Sequence, residues 1–596
     1  MDKQRQLDDF FGLTSENEDK KSPHKKSLKE MLHNKNRGFR AKLRLLPKIF
    51  SKKERYIILV FLLIIVGSLI SLPITSYYHF TIPVPSYGGT IKEGLIGEAR
   101  HINPLLSQSD ADRDLVNLIF SGLLQYNEKG QLIPDLALSY EVSPDELNYT
   151  FKLREGAKWH DDEPITADDV VFTIQAAQNP DYGSLQRINW QGVEVEKADE
   201  YTIILKLKNK YSQFLNNLTL PILPAHAWEN VKPINFALSE LNIKPIGSGP
   251  YNFNKLQKNE SGKINLYELV SNRQFYGQRP FIDKVQFKFY ESEDELINSY
   301  NQGDTENLGF VSSKNLAKVK FKNNLTIEEM TMPRYFGIFI NQNQSKILSD
   351  KNIRLSLAHS TDKQSIIEKV LNGKGVPVDS PMLQGIYDIN EDIKKYDFNL
   401  GTAEELLNKS EWNQKGEDGI RKNKNGDKLS LKITTSTWPE LIEVTQILKE
   451  QWKQAGIDLQ IETLPISGLQ QTIRDRNYEM LLFGEILTLD PDPFSLWHSS
   501  QKRDPGLNLA LYDNKSVDTL LEDARKTLNP TDRFSKYNEF QKLVIEDIPA
   551  IFLYSPQYLY AHNKKVRGFQ NEIIATPSDH FSLIEKWYIE TNRNFK

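Results

Sequence analysis

The chain has 596 residues, mixed charge with a net of −4 and ordinary apolar content, so it can hold several packed lobes rather than one core. That balance gives no ground for a nucleic-acid partner. The absence of cysteine excludes disulfides, thiol catalysis, thiolate metal sites and lipid attachment through cysteine.

In chain order, residues 1–55 read as a basic cytoplasmic leader. Met1–Lys35 is polar and lacks apolar periodicity, which predicts disorder, and the basic end is expected to lie against anionic headgroups. Tyr56–Ile74, "YIILVFLLIIVGSLISLPI", is an uncharged apolar run of the length that crosses a hydrocarbon core of about 30 Å as a helix. The flank "KLRLLPKIFSKKER" before it is dense in Lys and Arg, and "TSYYHFTIPVPSYGG" after it has neither. The positive-inside rule therefore puts the N-terminus in the cytoplasm and the rest of the chain outside. The long leader and the lack of a small-x-small cleavage site favour an uncleaved anchor over a signal peptide. Residues 75–86 read as a linker.

"KWHDDEPITADDVVFTIQAA", Lys158–Ala177, sets one histidine among four aspartates and raises the question of a metal or acid/base site. Helical metal ligands recur at i, i+3 or i+4, whereas His160, Asp161 and Asp162 precede Pro164 in what reads as a turn. Thr166 reads as an N-cap, with Asp168 and Asp169 in the first turn beside unpaired backbone N–H groups, ahead of Val170, Val171, Ile174 and Ala177 at helical spacing. Capping accounts for the two helical aspartates without a ligand.

Further on, "LSLKITT" (Leu429–Thr435) alternates with period two, and Thr437 and Glu440 form a possible capping box. A helix with Leu441, Val444, Leu448, Trp452 and Ala455 on one face follows and stops at Gly456. "IDLQIETL" (Ile457–Leu464) alternates again, and "YEMLLFG" (Tyr478–Gly484) suits a strand covered on both faces. This order is a βαβ unit and implies an α/β lobe. Val517, Leu520, Leu521 and Ala524 mark a further helix, ahead of another near Phe534–Ile545.

These segments resemble the family 5 extracellular solute-binding proteins, the dipeptide- and oligopeptide-binding components of ABC importers. The resemblance rests first on "INPLLSQSDADRDLVNLIFSGLLQYNEKGQLIPDLALSYEVSPDELNYTFKLREGAKWHDDEPITADDVVFT". Collinear with it are "ILPAHAW", "PIGSGPYNF", "NRQFYGQRPFIDKVQF", "DKNIRLSLAHSTDKQSIIEKVLNGKGVPVDSPM", "LDPDPF" and "YSPQYLYAHNKKVRGF". It implies an α/β clamshell: lobe I from 87–126, 206–330 and 548–596, an inserted domain at 127–205, and lobe II at 331–547. It also implies hinge closure around an extended peptide whose backbone pairs with strand edges, followed by recognition by importer permease subunits with a cytoplasmic ATPase. A monomer without enzymatic activity or cofactor is expected.

The family's ligand amine is met by an aspartate shortly before an Asp-Pro step. "LFGEILTLDPDPF" departs from that pattern, with Glu485 nearest the place, a longer spacer, and then Asp490 and Asp492. Glu485 and Asp490 are the candidate anchors, although Asp490 and Asp492 also read as turn residues before proline. Gln108 and Asp110 of "SQSD" match the segment that runs along the ligand backbone, with a solvated loop as the alternative. Trp438, at a helix start, is a candidate cleft wall or a packing residue. Rival readings are a non-peptide solute (nickel, haem, an opine or an oligosaccharide) and an envelope sensor or chaperone-like scaffold without transport. There is no G-x-S-x-G, H-E-x-x-H or G-x-x-x-x-G-K-[ST] pattern and no His pair at ligand spacing for nickel.

Overall fold

The computed structural model describes residues 51–387, 389–390 and 392–595, so the expected leader up to residue 50 lies outside the described residues. One compact unit takes in the chain up to Val84 and from Asn592 on, and the other is Pro85–Thr591.

In the first unit the apolar run forms a helix, Lys52–Phe80. Ser51 starts it: its backbone N–H donates to Glu54 Oε2 at 2.7 Å, and its hydroxyl accepts from Glu54 N at 3.3 Å. At about 1.5 Å per residue its 29 residues rise roughly 44 Å, long and apolar enough to cross a membrane, with side chains such as Phe61 and Leu69 exposed. Past its end, Arg593 Nε donates to Thr81 Oγ1 at 2.8 Å and the guanidinium stacks 4.5 Å from the Tyr78 ring.

The second unit contains two large sheets. Seven strands lie in the order Leu325–Met330, Tyr558–Asn563, Asn307–Leu308, Thr90–Ile96, Lys284–Tyr290, Ile264–Ser271, Tyr251–Lys258. Thr90–Ile96 pairs in parallel with both neighbours, while the pairs toward both edges of the sheet are antiparallel. The helix Asp110–Ile119, started by Ser109 accepting from Asp112 N at 3.0 Å, buries Leu115, Leu118 and Ile119 against this layer. Its C-terminal end is held by "PIGSGP": Gly249 N–H donates to Ile119 O at 2.8 Å, and a Cβ on Gly247 would come within 1.9 Å of that same oxygen. Only glycine permits so close a backbone approach.

Six strands form the other large sheet, in the order Gly375–Pro377, Ala550–Pro556, Arg334–Ile340, Met480–Ile486, Ser430–Ser436, Asp458–Leu464. The expected βαβ unit is present: Ser430–Ser436 pairs in parallel with Asp458–Leu464 and with Met480–Ile486, and the helix Pro439–Gln454 buries Leu441, Val444, Leu448 and Trp452. Its start differs from expectation. Trp438 is the N-cap and Pro439 takes the first helical position, where its missing N–H costs nothing; Thr437 and Glu440 form no capping box, and Glu440 lines the chamber described below. The two further helices are Lys515–Arg525 and Pro530–Asp547.

Ala550–Pro556 pairs antiparallel with Arg334–Ile340. The expected return to lobe I at residue 548 is therefore early, and the chain passes to the seven-stranded sheet at Gln557, before Tyr558–Asn563. The outward crossing lies between Met330 and Arg334.

A four-stranded antiparallel sheet, in the order Ala137–Val142, Asn148–Leu153, Thr202–Leu207, Val193–Asp199, carries the helix Ala167–Gln178. Here the His/Asp cluster serves the fold. Asp169 Oδ2 accepts from Thr166 N at 2.8 Å, its Oδ1 accepts from Ala225 N at 2.7 Å, and Asp168 pairs with Lys197 at 2.6 Å. Asp161 pairs with His226 at 2.9 Å, and His160 Nδ1 accepts from Gly247 N at 3.2 Å. His160 is driven down to about 4 by burial, so it packs as a neutral ring.

Candidate functional site: a cleft between the two large sheets

Helix Asp110–Ile119 stands at the seam between the seven- and six-stranded layers and divides the space there into two chambers. Asp110, Ala111 and Asp114 face a chamber of about 300 Å³, closed from the six-stranded side by Arg334, Lys374, Trp438 and Glu440 and floored by the crossing Pro556–Tyr558. Arg113, Val116 and Asn117, about one helical step round, face a chamber of about 640 Å³ that Ile486, Leu487 and Thr488 line from the opposite layer. The cleft thus draws on both layers and lies beside the return crossing.

Asp110 and Trp438, both chosen from sequence, meet in the smaller chamber. Asp110 is exposed and holds Arg113 at 2.8 Å; Trp438, 43 % exposed, leans on the Phe336 ring at 5.7 Å. Gln108 is exposed and lines a separate polar groove with Glu98, Arg100, Asn259 and Lys263.

Glu485 does not reach the cleft. Along Met480–Ile486, alternation sends Leu481, Phe483 and Glu485 to the face packed under Tyr335, Trp497 and Phe552, while Ile486, one residue on, is 69 % exposed and lines the larger chamber. Tyr335 Oη donates to Glu485 Oε2, and Oε1 is buried without a partner. Burial pushes the carboxyl up to about 8, which keeps it protonated at neutral pH.

Asp490 and Asp492 are likewise held by the six-stranded layer. Arg533, 5 % exposed, donates to Asp490 Oδ1 at 2.8 Å, and Arg525 Nη2 to Asp492 Oδ2 at 2.7 Å. Burial outweighs the Arg533 charge and lifts Asp490 to about 6. Between these two aspartates, Pro491 O accepts from Gln213 Nε2 at 3.0 Å, and Ser212 N–H donates to Arg525 O at 2.8 Å, which ties the 211–213 segment to this turn.

Three ionisable groups in the smaller chamber, Asp114, Arg334 and Glu440, are not among the ligand candidates read from sequence. Asp114, 3 % exposed, has no hydrogen-bond or ion-pair partner among the described residues, and burial drives its carboxyl well above the ordinary range. Arg334 makes no ion pair there either, its Nε is buried without an acceptor, and burial lowers its affinity for the proton. Glu440 is raised by burial and opposed by the nearby Arg334 charge. Signals for two of them exist in the sequence: Asp114 stands at i+4 from Asp110 on a helix whose neighbours are apolar, and Arg334 is the one charge at the mouth of the apolar strand "YFGIFI".

Residues 131–506 match the bacterial extracellular solute-binding proteins, family 5. The oligopeptide-binding protein AppA of Bacillus subtilis is 30 % identical over 518 residues, 85 % of this chain and 92 % of that protein. The dipeptide-binding protein of Escherichia coli is 24 % identical over 498 residues, 79 % of this chain and 90 % of that protein. The structure of Bacillus subtilis AppA with a nonapeptide superposes with a TM-score of 0.66 at 28 % identity, covering 85 % of this chain and all 100 % of that one. NikZ of Campylobacter jejuni with Ni(L-His) gives 0.67 at 27 % identity over the same shares, 85 % and 100 %. With a family match over more than half its length and a relative of this similarity, the chain belongs to the family 5 bacterial extracellular solute-binding proteins, which bind solutes and are not enzymes.

Proposed function

We propose that this chain is the membrane-anchored, extracytoplasmic substrate-binding component of an ABC importer and that it captures peptides in the cleft between its two large layers. The observation that carries this reading is the cleft itself: two chambers along one helix, the smaller holding a buried carboxyl, Asp114, and a guanidinium, Arg334, that no described residue pairs. A peptide has charged ends and an uncharged hydrogen-bonding backbone, and a cleft with charged and polar side chains in both chambers suits it. The likeness to AppA, solved with a nonapeptide, supports the same ligand class. Lobes built on the two sheets would close by rotation about the crossings near Thr331–Pro333 and Gln557. The closed form would then dock on permease subunits driven by a cytoplasmic ATPase.

Native mass spectrometry of the full chain, purified in mild detergent from cells grown in rich medium, tests this. A ladder of co-purifying peptide masses is expected. A single non-peptide mass, or a protein that stays empty when peptide libraries are added, would overturn the peptide reading.

For the anchor, the exposed helix Lys52–Phe80 is expected to keep the intact chain in the membrane pellet after alkaline carbonate washing. Recovery of the protein in the soluble fraction as a chain lacking that helix would show a cleaved signal instead.

A further inference from the structure

Among the polar groups of the cleft, Asp114 stands in an environment that nothing in the fold explains. On its helix, Ala111, Leu115 and Leu118 are buried, and an apolar residue at the same place would pack without penalty. Asp114 instead holds a carboxyl side chain, 3 % exposed, with no donor from any described residue and one oxygen wholly enclosed. Arg113, next in sequence, turns to Asp110 at 2.8 Å rather than to Asp114. Across the cavity, Glu440 is raised by burial against the nearby Arg334 charge, and behind it Tyr554, 1 % exposed, has a buried hydroxyl with no partner among the described residues. A local break of packing rules without compensation in the fold marks a place where the missing partner comes from a ligand.

We propose that Asp114 is the seat for a primary ammonium group of the ligand, with Asp110 and Glu440 adding negative charge to the same chamber and Arg334 left to meet the ligand's carbonyl or carboxylate oxygens. The proposal deepens the peptide reading and rests on the cleft being the ligand site. It moves the amine anchor from the six-stranded layer, where Glu485 is sealed against Tyr335, to the helix of the seven-stranded layer. An ammonium fits better than a metal ion, because no group of three or more potential metal ligands converges among the described residues. It also fits better than a guanidinium, since Asp114 Oδ1 is enclosed and leaves Oδ2 as a point contact rather than a two-oxygen fork. The ammonium is either the terminal amine of a peptide or a lysine side chain.

The test is a competition on the full chain in detergent between a random tetrapeptide pool and the same pool N-acetylated, with the bound masses read by native mass spectrometry. Free-amine peptides are expected to be favoured by about tenfold or more, the scale of one charge-assisted hydrogen bond. Asp114→Asn, nearly isosteric, should bring that ratio close to parity, and Glu485→Gln should leave it unchanged. If the acetylated peptides that still bind are enriched in lysine, and Asp114→Asn removes the enrichment, the side-chain ammonium is the group recognised; without enrichment it is the terminal amine. Equal binding of free and acetylated pools by the unaltered chain, with no lysine enrichment among the bound masses, overturns the inference while leaving the peptide reading intact, and so does a preference or a lysine enrichment that survives in Asp114→Asn. Should no peptide bind, the peptide reading falls, and free lysine and 1,4-diaminobutane are tried next. Binding lost in Asp114→Asn would keep the ammonium seat, and no binding would remove both. The acetylation comparison on the unaltered chain needs no variant, so a folding defect in Asp114→Asn leaves the inference falsifiable.

Discussion

At pH 8 the Glu485→Gln protein is expected to be more stable than the parent, by on the order of 3 to 4 kcal/mol, and the difference should fall to within about 1 kcal/mol near pH 4. In the folded chain the carboxyl is raised from 4.5 to about 8, because burial removes the water that would stabilise its charge. A group raised on folding holds its proton more tightly in the native state. Its contribution is therefore fully present below the unfolded value and is lost as pH climbs toward the folded value. Glutamine keeps the shape and an oxygen for the Tyr335 hydroxyl but does not titrate, so the variant escapes that loss. Glu93, also lifted to about 8, keeps a falling slope in both proteins. His160 and His580, lowered to about 4, act in the opposite sense as pH falls. These effects cancel in the difference, which urea unfolding at a series of pH values would measure. An identical pH dependence for the two proteins would show that Glu485 ionises freely, as a cleft residue would.

Arg533→Ala should cost about 3 to 5 kcal/mol, the usual effect of removing one partner from a buried ion pair. Arg533 is 5 % exposed and serves three acceptors: Asp490 Oδ1 at 2.8 Å, Thr527 O at 3.2 Å and Leu528 O at 3.3 Å. Its loss strands the Asp490 carboxylate and two backbone carbonyls together. Asp490→Ala should cost less, because Asp490 is the more exposed partner and Arg533 keeps its carbonyls. The double variant should fall well short of the sum of the two single costs. Denaturant midpoints of the four proteins close the cycle. Additive costs, or a peptide-binding defect in Asp490→Ala without loss of stability, would return Asp490 to the ligand site.

The sequence was most legible where local periodicity and burial coincide. Alternation at Leu429–Thr435 and Ile457–Leu464 around one amphipathic helix placed the parallel unit, and the cap at Thr166 explained a cluster that could have passed for chemistry. Sequence reading was weakest where a single residue step or a distant partner decides. Glu485 and Ile486 are neighbours, yet strand alternation seals one in the core and opens the other to the cleft, and the register comes from pairing with Arg334–Ile340, a long way back in the chain. Ala550–Pro556 is an apolar run that either large sheet could accept, which is why the crossing was expected several residues early. Arg334 and Asp114 gain their meaning from the groups that fail to meet them, and a missing partner leaves no trace in a one-dimensional pattern.

The contact between Gly247 and the carbonyl of Ile119 has a mechanical consequence. Where the backbones touch with no side chain between them, the helix has no cushion of rotatable bonds on which to slide or roll. The residues it points into the two chambers are thereby fixed to their sheet as teeth are fixed to a jaw. On the peptide reading proposed above, fitting ligands of different length would fall to the travel of one layer against the other, so tolerance for sequence and strictness about where an end group sits could coexist in one cleft.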